Sequence, residues 1–470
     1  MKRLSNLSLL LLLIASSSAI AEPKAVWEIS EGIDRPESAY YDADSGALFV
    51  SQVVGNGSEK DGKGWISKIS ADGKMIKEKW ATGLNAPKGL RAVNGVLWVS
   101  DIDHFVGFNI ADGKKVDDVT VPNAKFLNDV ATGLDGTVYV SDMGDKKIYA
   151  YKDGKLSVFA EGEVTEKPNG LLVSGTRLLV GGWDAGEKAG HLFALDLRTK
   201  EKTLITKEVT GNLDGIELDG RGNYIVTDWV AGKVLRISDN GKVETILQLA
   251  KGSADHAFIQ GRNLLIVPRM MENKITAYQV GEPESGFKSL LNGKDLSGWI
   301  TTGNWKAEKD GVYSLKPRPG EKGWKRYGAY LSTEKKYSDF ELHVEYKIPP
   351  RGNSGIYVRI DDLKDPVGKG IEVQVLDSYS ATKKLGHHDH GGIIRTTGPT
   401  KNMSNPAGQW NKMIVICRKH HMVVILNGEK IQDLQLNETP VKDRPLTGYI
   451  NIQDHGLPME VRNIRIKELG

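Results

Sequence analysis

Apolar and polar residues alternate along most of the chain, in short runs that end at turns. Successive side chains of a β-strand point to opposite faces of the sheet, so a period of two indicates strands with one buried face. The clearest run covers residues 340–348, where every second residue is large and apolar. After residue 21, no long segment has the 3.6-residue period of an amphipathic helix. The pattern therefore predicts an all-β protein.

A unit of about forty residues recurs through the first part of the chain. Each copy begins with a turn that contains one polar residue and continues through strands separated by Asp-Gly or Asn-Gly turns. Four strands in each period are the signature of a propeller blade, so we expect a six-bladed β-propeller over residues 22–280. The polar turn residues are Glu37, Lys88, Asn128, Asn169, Asp214 and Asp255.

The last copy of this unit lacks an outer strand, because the repeat ends at Val280. Residues 25–29 precede the first polar turn and have the composition of a strand. We expect this N-terminal strand to complete the last blade, since closure removes the open sheet edges that a linear stack would expose.

A second domain is predicted after the short segment 281–286. That segment is polar, contains Gly and Pro, and reads as a linker. Residues 287–470 contain strand patterns and turns without helical spacing. This pattern is typical of an antiparallel β-sandwich, and we expect a jelly roll.

Three strands of the second domain combine an apolar face with a face of large polar groups. They lie within residues 355–359, 370–377 and 448–455. Phenol, guanidinium, carboxylate and amide groups on one sheet face can hydrogen-bond the hydroxyls of a sugar. An ion pair between Glu372 and Arg359 on a solvated face is the alternative. The polar side chains are Tyr357, Arg359, Glu372, Gln374, Asn451 and Gln453.

Charge and cysteine content narrow the possible partners. The net charge is only +3 and no basic block occurs, so nucleic acid is not an expected partner. The single cysteine, Cys417, excludes an intramolecular disulfide. It lies in an apolar run and is expected to be buried.

The first 21 residues have the pattern of a secretory signal peptide. A charged start, an apolar centre and an Ala-Ile-Ala cleavage site follow one another. The apolar run is too short to cross a bilayer, so no membrane span is expected after its removal. We expect a periplasmic or secreted protein; a retained N-terminal anchor is the alternative.

The repeat resembles the regucalcin/gluconolactonase family of six-bladed propellers over residues 25–280. The resemblance rests on the turns Pro36-Glu37-Ser38, Leu127-Asn128-Asp129, Pro168-Asn169-Gly170 and Leu213-Asp214-Gly215. It implies a divalent cation held by Glu37, Asn128, Asn169 and Asp214.

Oxygen ligands on one axis suit a hard cation such as Ca²⁺. The family resemblance also makes Asp214 a general base for lactone hydrolysis. Asn-Gly and Asp-Gly are favoured turn dipeptides whatever the function, and they offer a purely structural alternative. His256 would face the same channel, where we expect a hydrogen-bonded interior histidine.

The second part resembles the 3-keto-disaccharide hydrolase domain family, which has a concanavalin-like sandwich fold. The resemblance covers residues 286–469. It implies activity on glycosides that carry a ketone at C3, where a base removes the acidified C2 proton and the C1 substituent leaves. The matching segments are 291–299, 339–342, 351–359, 370–377, 408–411, 426–429 and 448–456.

This chemistry needs a base, a group that polarises the ketone, and groups that bind hydroxyls. Glu372 is the expected base, because a carboxylate within a sheet face can have a raised pKa. Arg359 would polarise the ketone, and Asp377 or His455 would act as a second acid or base. The expected substrate-binding residues are Asn353, Tyr357, Gln374, Asn451 and Gln453.

Three histidines fall within residues 387–390. In an extended segment His388 and His390 would point the same way and could bind a metal ion. An exposed loop without metal is the alternative.

Together these patterns predict an exported enzyme that cleaves oxidised sugar glycosides, with a cation-binding propeller. Two alternatives stay open. One is a non-catalytic carbohydrate-binding protein with a propeller scaffold. The other is a propeller lactonase with a sugar-binding sandwich.

Overall fold

The computed structural model describes residues 23–183 and 189–470. The predicted signal peptide at residues 1–21 lies outside this part of the chain. The described residues form 37 strands, one short helix (α1, Pro366–Lys369) and six 3₁₀ turns, so the prediction of an all-β chain is confirmed. No helix in the described ranges is both long enough and apolar enough to cross a membrane.

The N-terminal region contains six antiparallel sheets of four strands each. Sheet 1 consists of β2 (Pro36–Asp42), β3 (Ala47–Gln52), β4 (Gly64–Ser70) and β5 (Met75–Leu84). Sheet 2 consists of β6 (Leu90–Val93), β7 (Val96–Asp101), β8 (His104–Asn109) and β9 (Lys115–Thr120). Sheet 3 consists of β10 (Leu127–Thr132), β11 (Val138–Asp142), β12 (Lys147–Lys152) and β13 (Lys155–Glu161).

The other three sheets follow the same order along the chain. Sheet 4 consists of β14 (Pro168–Ser174), β15 (Arg177–Gly182), β16 (Leu192–Asp196) and β17 (Lys202–Leu204). Sheet 5 consists of β18 (Leu213–Leu218), β19 (Asn223–Asp228), β20 (Lys233–Ser238) and β21 (Val243–Gln248). Sheet 6 consists of β22 (Ala257–Ile259), β23 (Leu264–Arg269), β24 (Lys274–Gln279) and the N-terminal β1 (Lys24–Ile29).

The pairing of β1 with β24 confirms the prediction that an N-terminal strand completes the last sheet. The first strands of the sheets contact one another in the order β2, β6, β10, β14, β18, β22 and back to β2. A parallel bridge between Ser38 and Asp255 joins the first sheet to the last. The contacts of the six sheets therefore run in a closed cycle.

The period-two alternation explains how neighbouring sheets hold together. Leu48 and Val50 on β3 pack toward sheet 6, whereas Ala47 and Phe49 on the same strand pack toward sheet 2. Six apolar clusters of this kind fill the interfaces between consecutive sheets. Burial of both faces is the main stabilising contribution, at about 25 cal/mol per Å² of apolar surface.

The C-terminal region consists of two sheets. The larger sheet has the order β27-β28-β37-β30-β33-β34-β35 with β25 on β37, and the smaller has the order β26-β29-β36-β31-β32. The strands are β25 (Lys288–Ser289), β26 (Trp299–Ile300), β27 (Trp305–Ala307), β28 (Tyr313–Leu315), β29 (Leu331–Thr333), β30 (Phe340–Lys347), β31 (Asn353–Ile360), β32 (Ile371–Leu376), β33 (Asn411–Arg418), β34 (His421–Leu426), β35 (Glu429–Gln435), β36 (Tyr449–Ile452) and β37 (Met459–Glu468).

One large apolar core joins these two sheets. Ile356 and Val358 of β31 and Val373 of β32 enter it from the smaller sheet, as their alternation predicts. Leu342 enters it from the larger sheet. Cys417 is fully buried in the same core, and burial raises the pKa of its thiol to about 12, so the expectation of a buried cysteine is confirmed.

A fully buried carboxylate joins the two regions. Glu429, at the start of β35, accepts hydrogen bonds from Arg177 at 2.5 Å and from the Tyr224 hydroxyl at 2.7 Å, both in the N-terminal region. Ser174 donates at 3.0 Å, and Lys401 of the C-terminal region donates at 2.6 Å. Burial opposes the charge, but the two cations outweigh it and hold the pKa of Glu429 below its usual value.

Replacing Glu429 by alanine should destabilise the protein strongly. The change leaves the buried charges of Arg177 and Lys401 without their partner, which typically costs about 3–5 kcal/mol. Denaturant unfolding measures this loss. Asp433→Ala on the same strand is the matched control, because Asp433 is exposed and its loss should cost about 1 kcal/mol or less. Equal stability of the two variants would show that Glu429 does not hold the regions together.

Candidate active site

The predicted polar face exists on the outer side of the smaller sheet. Most residues that alternate with these polar side chains along β31, β32 and β36 are apolar and belong to the core between the two sheets. Tyr357 on β31 lies opposite Glu372 on β32 and Asn451 on β36. The pleat therefore brings together polar groups from three strands that are distant in sequence.

A cavity of about 380 Å³ opens above this face. It brings together seven residues predicted for the site: Asn353, Tyr357, Glu372, Gln374, His388, Gln453 and His455. The remaining lining residues are Trp324, Val367, Ile394 and Arg395.

Glu372 is the central carboxylate of this cavity. A methyl group on Gly355 would lie 2.4 Å from its Oε1 atom, so the bare glycine backbone gives the carboxylate its place on the sheet. Burial raises the pKa of Glu372 to about 7. A hydrogen bond from the Tyr357 hydroxyl and the nearby charge of Arg395 act in the opposite direction. The group can therefore take up and release a proton near neutral pH.

A hydrogen-bond network holds the Tyr357 hydroxyl in place. The Gln453 amide donates to the hydroxyls of Tyr330 at 3.0 Å and of Tyr357 at 3.2 Å. Burial raises the pKa of both phenols well above its usual value, so both stay protonated. Within the part of the chain that the structure describes, the Gln453 side-chain oxygen has no partner and can accept a bond from a ligand hydroxyl.

A second hydrogen-bonded group in the cavity consists of Asn353, Gln374 and His455. His455 Nε2 lies 3.4 Å from the Asn353 amide nitrogen, and Gln374 donates to the Asn353 oxygen at 3.3 Å. Burial lowers the pKa of His455, which favours the neutral imidazole. The neighbouring Asp454 is fully buried and pairs with Arg326 at 2.9 Å, which fixes this segment.

Arg395 is the charged residue of the cavity that the sequence did not predict. Its segment bonds to β32: Ile393 bridges Val373, and Ile394 donates its backbone N–H to the Glu372 carbonyl at 3.1 Å. The cation thereby lies near the Glu372 carboxylate. The one signal in the sequence is its position shortly after the histidine-rich loop. The pairing of this segment with β32 is not visible in the sequence, because the two lie about twenty residues apart.

Arg359 requires a correction, since the structure does not place it in the cavity. A bulge between Tyr357 and Ile360 and a positive φ of 55° at Arg359 turn its side chain away from the polar face. Its guanidinium is fully buried and donates to the Ser338 carbonyl and to Asp339. Neither the role at the ketone nor the alternative ion pair with Glu372 fits this position.

Two more predicted residues lie outside the cavity. The carboxylate of Asp377 accepts the backbone N–H of Arg351 at 2.8 Å and serves that turn. Asn451 is on the expected face but is covered, and its side-chain amide has no hydrogen-bond partner among the described residues.

The predicted pair of metal-binding histidines is also separated. His388 is exposed and lines the cavity, whereas His390 is buried between the Tyr346 hydroxyl and Ser404 Oγ. Burial lowers the pKa of His390 to about 3. In residues 23–183 and 189–470, no three His, Cys, Asp or Glu side chains converge as a metal site.

The predicted cation ligands of the N-terminal region are all buried near its centre. Glu37, Asn128, Asn169 and Asp214 belong to the first strands of sheets 1, 3, 4 and 5. Burial, with repulsion from further carboxylates, raises the pKa of both acids well above its usual value. Two of their oxygens, Glu37 Oε2 and Asn169 Oδ1, have no partner among the residues described.

Two further buried residues of this region are a lysine and a histidine. The Lys88 ammonium is buried near Glu37 and donates to the Ala86 carbonyl at 3.0 Å. His256 is interior, as expected, but neither ring nitrogen has a hydrogen-bond partner in the described ranges. Burial lowers the pKa of His256 to about 3, so the ring is neutral.

Comparison with known proteins assigns each region separately. The family described as "SMP-30/Gluconolactonase/LRE-like region" matches residues 37–266, and the "3-keto-alpha-glucoside-1,2-lyase-like domain" matches residues 286–467. A curated relative from Bacteroides thetaiotaomicron, named 3-keto-disaccharide hydrolase, is 25% identical over 241 residues. That alignment covers 42% of this chain and 83% of the relative.

Solved structures are similar to one region or the other. A putative glycosyl hydrolase from Parabacteroides distasonis is 26% identical, covers 39% of this chain and all of its own, and has a TM-score of 0.35. A virginiamycin B lyase from Staphylococcus aureus is 16% identical, covers 55% of this chain and 99% of its own, and has a TM-score of 0.41. Both family resemblances are confirmed: residues 37–266 form an SMP-30/gluconolactonase-like region, and residues 286–467 form a 3-keto-alpha-glucoside-1,2-lyase-like domain.

Proposed function

We propose that the cavity on the smaller sheet cleaves glycosides oxidised to a ketone at C3. The observation that carries this proposal is Glu372, whose pKa is raised to about 7 inside a cavity lined by amide and hydroxyl groups. A base for this reaction must be free to accept a proton at neutral pH and must lie beside groups that orient a sugar. The match to the lyase-like domain supports the same chemistry.

In the first step, Glu372 removes the proton from C2. The C–H electron pair moves into the C2–C3 bond, and the ketone oxygen becomes an enolate oxygen. Arg395, the cation nearest to Glu372 in this cavity, supplies positive charge for that oxygen. The side chains of Gln453 and Gln374 hold the neighbouring hydroxyls.

In the second step, the enolate expels the substituent at C1. The C1–O bond breaks with its electron pair on the leaving oxygen, which takes up a proton and departs as an alcohol. Addition of water across the C1–C2 double bond then gives the free 3-keto-sugar, so the net reaction is hydrolysis. Protonated Glu372 can return the C2 proton to the leaving oxygen, and His455, whose neutral imidazole lies beside Asn353, is our candidate base for the added water.

The arrangement of the sheets also supports a specific fold for each region. The closed cycle of contacts among the six sheets supports a six-bladed propeller, and the single core between two sheets supports a jelly-roll sandwich. We propose both assignments for this chain.

A second proposal concerns a divalent cation at the centre of the propeller. The unpartnered oxygens of Glu37 and Asn169, with the buried carboxylate of Asp214, fit a hard ion such as Ca²⁺. Such an ion would supply positive charge to a lactone carbonyl when bound. Asp214, whose pKa is raised, would be the base for the attacking water.

Replacing Glu372 by glutamine should abolish turnover of a 3-keto-disaccharide. Loss of the general base should lower the turnover rate by about 10²- to 10⁴-fold. The measurement is product formation by the mature protein, with Glu345→Gln as matched control, because Glu345 is paired with Arg462 on the other sheet. Unchanged turnover in Glu372→Gln would place the chemistry elsewhere. Sugar binding without any turnover by the wild type would favour the binding-protein alternative.

The pH dependence of kcat/KM should report the pKa of Glu372. Activity should rise with pH through about 7, because the deprotonated form is the base. Tyr357→Phe removes a hydrogen bond that favours the carboxylate, so the rise should move to higher pH. Tyr379→Phe is the control, since Tyr379 lies outside this cavity. A midpoint unaffected by Tyr357→Phe would exclude Glu372 as the titrating group.

Calcium should raise the thermal stability of the wild-type protein. A ligand that binds only the native state adds about 2.7 kcal/mol to the free energy of unfolding when its free concentration is a hundred times the Kd. Glu37→Gln and Asp214→Asn should remove this shift, whereas Asp72→Asn on the exposed surface should keep it. Absence of any shift in the wild type would exclude the propeller cation. Lactone hydrolysis that survives Glu372→Gln and is lost in Asp214→Asn would favour the propeller lactonase.

A further inference from the structure

Trp324 lies at the rim of the Glu372 cavity and stands out by its exposure. Trp324 is 38% exposed, which is more than any other Phe, Tyr or Trp among the residues described. Large aromatic side chains normally bury most of their surface, so an exposed indole that lines a cavity indicates a contact surface for a ligand.

The backbone around Trp324 is fixed to the site. Its carbonyl accepts a hydrogen bond from the Tyr330 hydroxyl at 2.6 Å, and the preceding Gly323 donates to the His455 carbonyl at 3.1 Å. Two residues further on, Arg326 pairs with the buried Asp454. The indole is therefore exposed on a rigid segment that is tied to the residues of the cavity.

A series of aromatic rings connects the rim with the base. The ring centroids of Trp324 and Tyr327 lie 6.0 Å apart, those of Tyr327 and Tyr330 5.9 Å, and those of Tyr330 and Tyr357 5.8 Å. Tyr357 bonds to the Glu372 carboxylate. Trp324 is thus the outermost of four rings in successive contact, and the innermost ring, Tyr357, touches the base; Trp324 and Tyr357 themselves line the cavity.

The chemistry of the indole suits the C–H face of a sugar ring. Its π-system carries partial negative charge on the ring face, and the Lys325 ammonium already lies 5.5 Å from the centroid. The polarised C–H groups of a pyranose face are attracted by the same charge. A cation and a sugar ring can use the two opposite faces.

We propose that Trp324 binds the leaving group of the substrate by stacking on its ring. This inference rests on the proposed function. Glu372 acts on C2 of the oxidised ring, which must therefore lie deep in the cavity, and the substituent on the adjacent C1 extends to the rim. The rim site accordingly favours substrates whose leaving group is a pyranose or another ring that can stack on the indole. Substrates whose leaving group is a small alkyl alcohol bind less well.

The test compares a 3-keto-disaccharide with the methyl glycoside of the same 3-keto-sugar. In Trp324→Ala, the KM for the disaccharide should rise by roughly 3- to 10-fold relative to the KM for the methyl glycoside, with little change in kcat. Trp324→Phe should restore most of the loss. Trp410→Ala is the matched control, because Trp410 is a partly exposed indole on the larger sheet, beside Arg462.

An unchanged ratio of the two KM values in Trp324→Ala would overturn the inference while the proposed function stands. If the wild type cleaves neither substrate, the proposed function fails, and calorimetric binding of trehalose and methyl glucoside then decides the inference. Weaker trehalose binding in Trp324→Ala, with the selectivity over methyl glucoside lost, would support the stacking site. Equal binding in the variant and the wild type would exclude it.

Discussion

The buried carboxylate of Glu429 is the interaction on which the relation between the two regions depends. A charge withdrawn from water is tolerated only when charged and polar donors surround it, and Glu429 obtains its donors from both regions. Arg177 and Tyr224 reach it from the N-terminal region, and Lys401 reaches it from a loop of the lyase-like domain. The geometry of this network therefore restricts how the two regions can be arranged.

The same network holds the loop that completes the cavity. Thr176 donates to the Asn402 carbonyl at 3.2 Å, next to Lys401, and Gln432 donates to the Gly391 carbonyl at 3.0 Å. Between these anchors the loop contributes Ile394 and Arg395 to the cavity, and His388 lines the cavity just before the first anchor. The N-terminal region thus takes part in shaping the site of the other domain, although none of its described residues lines that cavity.

Within the cavity, burial and hydrogen bonding act against each other on one group. Burial alone favours the protonated form of Glu372, while Tyr357 and Arg395 favour the carboxylate. The result is a pKa near 7, which neither effect would give by itself. Gly355 makes this balance possible, because any side chain there would displace the carboxylate from the sheet surface.

The alternation of apolar and polar residues was enough to predict an all-β chain, the repeats, the strand that completes sheet 6 and the polar face around Glu372. These features follow from the period of the strand, which is local. The sequence did not reveal the bulge that turns Arg359 away, the separation of His388 from His390, or the approach of Arg395 to Glu372. Each of these depends on backbone pairing between distant segments, and only the tertiary structure decides which side chains that pairing brings together.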